Sequence, residues 1–190
     1  MTRLRRLTRL IVCGYLIWVA VIPALAQPRA LGHTVRWDLV QIVQGTALAG
    51  GVDVGINAAN GDTFTLTGSG AAEPAEADAA GGGIIVHHFA ATNTDVMGVY
   101  VVTGFISWQP GGGQLLAADG IGHASEASSG ILKMTIRIFL PSGAFRDGTL
   151  TVNCRLPGAT VDVEEGIQLT IAGTLNVVQH SGVTLFHIQK

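Results

Sequence analysis

The chain has 190 residues, 48% of them hydrophobic and 13% charged, with 26 glycines, 2 cysteines and a formal net charge of −2. Beyond the first nine residues its cations are scattered and outnumbered by acids, so the clustered Lys/Arg that grips a phosphate backbone is missing there and no nucleic acid is expected as a partner. Two cysteines also exclude the dense disulfide framework that staples small secreted domains.

In chain order, MTRLRRLTRL places Arg3, Arg5, Arg6 and Arg9 ahead of an apolar run from Leu10 to Ile22, and Pro23 ends that run before Ala24-Leu25-Ala26. A basic n-region, an apolar h-region and a small-residue cleavage site predict a signal peptide over residues 1–26, with Gln27 as the mature N-terminus. The apolar run is shorter than the ~20 residues a spanning helix needs, so membrane contact is expected only through the signal peptide before cleavage. Val12 ahead of Cys13 does not suit a lipoprotein signal, and Thr8 after Arg5-Arg6 does not suit a twin-arginine one. Cleavage leaves seven Lys+Arg against thirteen Asp+Glu, a net charge of −6 over 164 residues. That length suits a single domain, residues 27–190. Cys154 is then alone, which points to a buried free thiol, with an intermolecular bridge as the alternative. No Asn-x-Ser/Thr sequon is present, and the composition fits export from a bacterium to the periplasm, the surface or the medium.

From here the hydrophobic period is two, the period of a strand with one buried face. Strands are expected over 34–43, where Val35, Trp37 and Leu39 share a face, and over 52–58 and 63–69, which flank the turn Asn60-Gly61-Asp62. Two more follow at 83–91 and 98–108. The clearest alternation is Leu132, Met134, Ile136, Ile138 and Leu140 against Lys133, Thr135 and Arg137. After the turn-rich PSGAFRDG, Leu150, Val152, Cys154 and Leu156 alternate with Thr149, Thr151, Asn153 and Arg155, which completes an antiparallel hairpin. A strand or strand pair over 167–177 and a last strand over 183–189 bring the total to about eight or nine. The expected fold is therefore all-β: one antiparallel, barrel-like domain, with a β-sandwich as the alternative, because closure removes exposed edges. Residues 71–83 (AAEPAEADAAGGG) and 109–130 are expected to be long flexible loops, the first lacking any large apolar side chain and the second rich in Gly and Ser.

The stretches CRLPG (Cys154–Gly158), EGI (Glu165–Ile167), TLFH (Thr184–His187), WDLV (Trp37–Val40) and GVYVVTGFISW (Gly98–Trp108) resemble a set of uncharacterised exported bacterial β-rich proteins. The resemblance spans most of the mature chain. It implies export and an all-β fold, and it implies no activity, ligand set or functional residue.

Residue types that carry chemistry are present without a convergent pattern. His87 and His88 are adjacent on a strand, so their side chains point to opposite faces and cannot chelate one ion together. No two of the six histidines have the i, i+2 spacing of a strand chelate, and His33, His123, His180 and His187 are far apart in sequence. None of Ser107, Ser125, Ser128, Ser129, Ser142 and Ser181 lies in a Gly-x-Ser-x-Gly elbow. Cys154 has apolar neighbours and no base beside it, and His123 with Glu126 reads as a solvated loop pair. Asp53, Asn57, Asn60 and Asp62 around one turn, and Asp162, Glu164 and Glu165 in another, do not match an EF-hand loop. The Gly-rich stretches lack the Lys-Ser/Thr of a phosphate loop. Lys133, Arg137 and Arg155 on the polar hairpin face form a small basic patch. No catalytic residue, metal ligand or cofactor is therefore expected.

These readings favour a non-catalytic exported β module that binds a small apolar ligand, in the barrel interior or its mouth, or pairs with an envelope protein. The alternative is a barrel-type isomerase or cyclase acting on a small apolar substrate, whose site leaves little trace in sequence.

Overall fold

A computed structural model describes residues 32–171 and 175–190 of the chain. The expected signal peptide, residues 1–26, lies outside the described residues. The fold is all-β, and its only helical feature among the described residues is a 3-10 turn at Pro74–Glu76. Among these residues no helix is long and apolar enough to cross a membrane.

Thirteen strands are present among the described residues: β1 (Thr34–Val43), β2 (Thr46–Ala49), β3 (Asp53–Ile56), β4 (Thr63–Leu66), β5 (Ser69–Glu73), β6 (Asp78–Phe89), β7 (Thr94–Gly112), β8 (Ala118–Asp119), β9 (Ala127–Phe139), β10 (Phe145–Cys154), β11 (Gly166–Ile171), β12 (Leu175–Ser181) and β13 (Val183–Gln189). Ten of them, in the order β10-β11-β12-β3-β4-β6-β5-β1-β13-β9, close on themselves as an antiparallel barrel, to which β2, β7 and β8 are added. Closure is explicit in the pairing: β10 bonds to β11 on one edge and to β9 on the other, and the ladder runs from β11 through β12, β3 and β4 to β6, with β7 laid between β6 and β9. A second group completes the wall. β13 pairs with the start of β9 and with β1, and β5 joins β1 to the first half of β6. The long strands β6, β7 and β9 are shared by both groups, and register shifts along β7 let its 19 residues bend around the wall.

The count exceeds the expected eight or nine because the 167–177 stretch is two strands and because three short ones carry no alternation. These are TALA, SGAAE and AD, which form β2, β5 and β8. The β9–β10 hairpin agrees with the expectation residue by residue. Leu132, Met134, Ile136 and Ile138 are buried, and Met134 lies opposite Leu150 and Leu132 opposite Val152.

Both segments expected to be flexible loops are corrected. Residues 71–83 form the end of β5, the 3-10 turn and the start of β6, with Ala72 and Ala79 buried and paired to each other. Their small side chains permit close packing rather than mobility. A β-carbon at Gly81 would stand 2.8 Å from the Trp37 indole, and one at Gly70 2.8 Å from its Nε1. Within 109–130, residues 109–112 finish β7, 118–119 form β8 and 127–130 begin β9, while Leu115 and Ile121 pack against the core.

Large side chains are buried inside the barrel. Trp37, Tyr100, Phe64, Phe186, Leu39, Leu66 and Met134 are all no more than 2% exposed. Side chains occupy the middle of the barrel as they do in other small barrels.

Candidate functional site

The two adjacent histidines do point apart. His87 Nε2 lies 2.9 Å from Asp62 Oδ2, and the ring stacks on Phe64 with centroids 4.1 Å apart. His88 turns the other way and places Nδ1 2.7 Å from Asp95 Oδ1, where both side chains are partly exposed. Asp62 also accepts from the Ala90 amide at 2.9 Å and from Asn60 Nδ2 at 2.9 Å. The His87 contact and these donors hold the Asp62 carboxyl below the usual range. This group fastens the β3–β4 turn to β6, where Gly61 supplies the positive φ of 77°. Asp53, four residues before Asn57, is on the interior side and takes no part in it.

Two buried acidic groups were invisible in the sequence. In the first, His187 of β13 donates from Nε2 to Asp119 Oδ2 at 2.8 Å, with the two side chains 0% and 4% exposed. Asp119 Oδ1 accepts from the amides of Ile121 and Gly122 at 2.9 and 3.0 Å. Burial pushes this carboxyl up, but the Gly122 amide, His187 and the Ile121 amide outweigh it and hold it below the usual range. Opposite His187 across the β1–β13 ladder stands Arg36, which grips Asp38 through Nε at 2.8 Å and Nη2 at 3.0 Å. Nδ1 of His187 has no partner among the described residues.

In the second, Asp53 lies buried near the start of β13 with the half-buried Glu165 close enough for its charge to be felt. Asp53 is fully buried, and neither oxygen has a hydrogen-bond partner of normal geometry. Burial, with the charge of Glu165, pushes it up to about 7, and the nearby Val183 amide offsets only part of this. Glu165 accepts from the Thr184 amide at 2.7 Å, the Thr184 hydroxyl at 2.9 Å and the Arg155 amide. Burial still raises it against those donors. Next to them the Cys154 thiol is buried and free, and burial with the charge of Glu165 pushes it far up. It is held as a thiol and packs as a small apolar group, as the alternation of β10 predicts.

The remaining candidates do not converge. His123 and Glu126 meet only through the backbone, Glu126 N to His123 O at 2.8 Å. The hydroxyl of Ser129 caps the Leu156 amide at 2.7 Å. Among the described residues no three of His, Cys, Asp and Glu gather where they could hold a metal ion. The side chain of His180 lies outside the description. Of the basic patch, Arg137 is bound to Asp147 at 2.7 Å and covers the Phe145 ring, and Arg155 lies 3.8 Å from Asp162.

The outer wall offers more than the interior. Ile84, Val99, Phe139 and Phe145 are successive cross-strand partners on β6, β7, β9 and β10, and they are 44%, 53%, 42% and 50% exposed. This row borders a cleft of about 330 Å³ whose lining, which includes Met97, Leu140 and Pro141, is almost wholly apolar. At the other end of the same wall, Lys133, Thr151, Asn153 and Gln168 line a polar cleft of about 290 Å³. Sequence alternation assigns the outward residues of GVYVV and IRIF to a solvated face, and their apolar character was the readable signal of the row. Comparison with protein-family models, with curated proteins and with solved structures finds no match for this chain.

Proposed function

We propose that the chain is an exported, non-catalytic β-barrel that binds a small apolar ligand on its outer wall. Export rests on the three-part N-terminal pattern ending at Ala26. The observation that carries the binding reading is the aligned row Ile84, Val99, Phe139 and Phe145 beside a cleft of about 330 Å³. An aligned row of exposed large side chains is the surface a binding site uses, and the volume suits a small molecule. The large side chains buried inside the barrel favour this wall over the interior as the place of the ligand.

The alternative, a barrel-type isomerase or cyclase, draws support from Asp53, an interior carboxyl that titrates near neutrality. Its full burial behind the core gives a substrate no direct contact with it.

The test is a titration of the mature chain with the neutral apolar fluorophore N-phenyl-1-naphthylamine, beside Val99→Glu. Saturable one-to-one binding that the variant loses is the expected result. Absence of saturable binding, or equal binding by the variant, overturns the reading. Sedimentation that shows wild-type self-association and a monomeric variant reassigns the wall to a protein partner. Amino-terminal sequencing of exported material tests the other half, with Gln27 expected as the first residue.

A further inference from the structure

Thr151 and Asn153 stand on the face of β10 that alternation gives to solvent, yet they are only 7% and 4% exposed. They form the floor of the polar cleft, whose opposite side is the connecting segment carrying Val163 and Glu164. The Thr151 hydroxyl and the Asn153 carboxamide are not among the orphaned buried polar atoms, so both are open to solvent at the cleft they line. Two polar side chains that are mostly covered yet still open at the cleft offer a hydroxyl and a carboxamide to an occupant with polar atoms of its own.

The charges around the floor define that occupant. Lys133, Thr151 and Gln168 lie in one cross-strand row on β9, β10 and β11, so an ammonium stands at one end of the row and a carboxamide at the other. Glu164 and Asp162 supply carboxylates from the connecting segment, Asp162 lying also 3.8 Å from Arg155. A simple anion meets Glu164 and a simple cation meets Lys133, so neither is matched. A molecule that carries both charges matches both, and its carboxylate or amide suits Asn153, Thr151 and Gln168. The volume of about 290 Å³ sets the size.

We propose that this cleft binds a small zwitterion, a free α-amino acid or a dipeptide. The site shares no lining residue with the apolar cleft and does not depend on the apolar-ligand reading. Lys133 orients the ligand carboxylate, Glu164 its ammonium, and the floor amides select the group between them.

The experiment is isothermal titration calorimetry of the mature chain with the common L-amino acids and with glycylglycine. N-acetylated and carboxyl-amidated forms of the best binder, and glucose, serve as controls. Lys133 is solvent-exposed, so Lys133→Met keeps the fold, which circular dichroism checks. Saturable binding by at least one zwitterion is expected, weakened about tenfold or more by blocking either ligand charge and by Lys133→Met. The same variant should bind N-phenyl-1-naphthylamine as the wild type does, which separates failure here from failure of the apolar site. Absence of binding by every amino acid and by glycylglycine overturns the proposal. So does binding that survives blocking of both charges, or glucose binding of equal strength.

Discussion

Asp119 and His187 are 68 residues apart in sequence and meet at 2.8 Å, with both side chains buried. One carboxylate thereby fastens three things: the last strand, through His187, and the Ile121 and Gly122 amides of the segment that crosses the barrel end. Asp119→Ala strands a buried imidazole and two amides, and the expected loss is on the order of 3 kcal/mol in urea denaturation. Because the carboxyl sits below its usual range, its contribution is present above the unfolded-state value of about 4 and is lost as pH falls through the folded-state value. Wild type and variant should therefore converge in stability on acidification.

Asp53 has the opposite sign. Its folded-state value is raised to about 7, so between about pH 4 and pH 7 the unfolded chain ionises while the folded one keeps its proton. Stability from this group is fully present below pH 4 and falls as pH rises to 7, by a few kcal/mol at about 1.4 kcal/mol per pKa unit. Asp53→Asn should remove that slope and raise the denaturation midpoint at pH 7. Midpoints at four pH values between 4 and 8 decide the matter; a variant whose slope equals that of wild type refutes the assignment.

Gly81 and Gly143 separate crowding from backbone strain. Both have positive φ, 142° and 81°, but a β-carbon at Gly81 meets Ser69 O at 2.5 Å and one at Gly143 meets nothing within 4 Å. Gly143→Ala should cost only the left-handed penalty, about 1 kcal/mol. Gly81→Ala should cost about 3 kcal/mol or more, since it drives two strands and Trp37 apart. Thermal midpoints of the two variants measure the difference.

Cys154 should not react with a thiol reagent in the native state, because it is fully buried and held protonated. In denaturant the mature chain should yield one thiol, whereas a chain that keeps residue 13 yields two. The same titration thus reports both the burial of Cys154 and the removal of the N-terminal segment.

Much of the fold was legible because strand alternation is a local property. Met134 and Leu150 announce an inward face without knowledge of their partners, and Asn60-Gly61-Asp62 announces its turn. The misreading of residues 71–83 shows the limit. Ala72, Ala79 and Gly81 look like loop residues until Trp37, dozens of positions away, is known to press on them. The acidic pairs were hidden for the same reason. Asp119 lies in a stretch with no alternation, and nothing local links it to His187. Glu165 resembles its neighbours Asp162 and Glu164, yet it alone turns inward to Thr184. The outer row escaped notice because each of its residues is ordinary on its own strand, and only the register places Ile84, Val99, Phe139 and Phe145 side by side.

The pairing of β1 with β13, from Thr34 opposite Gln189 to Val40 opposite Val183, joins strands about 150 residues apart. Loop-closure entropy over such a span must be met before that ladder gains anything, so this seam forms late and slowly. Until the last strand is made, β1 retains an unfilled edge and the buried clasp at His187 cannot exist. A chain without β13 therefore has neither this seam nor the clasp, and the barrel wall stays open between β1 and β9.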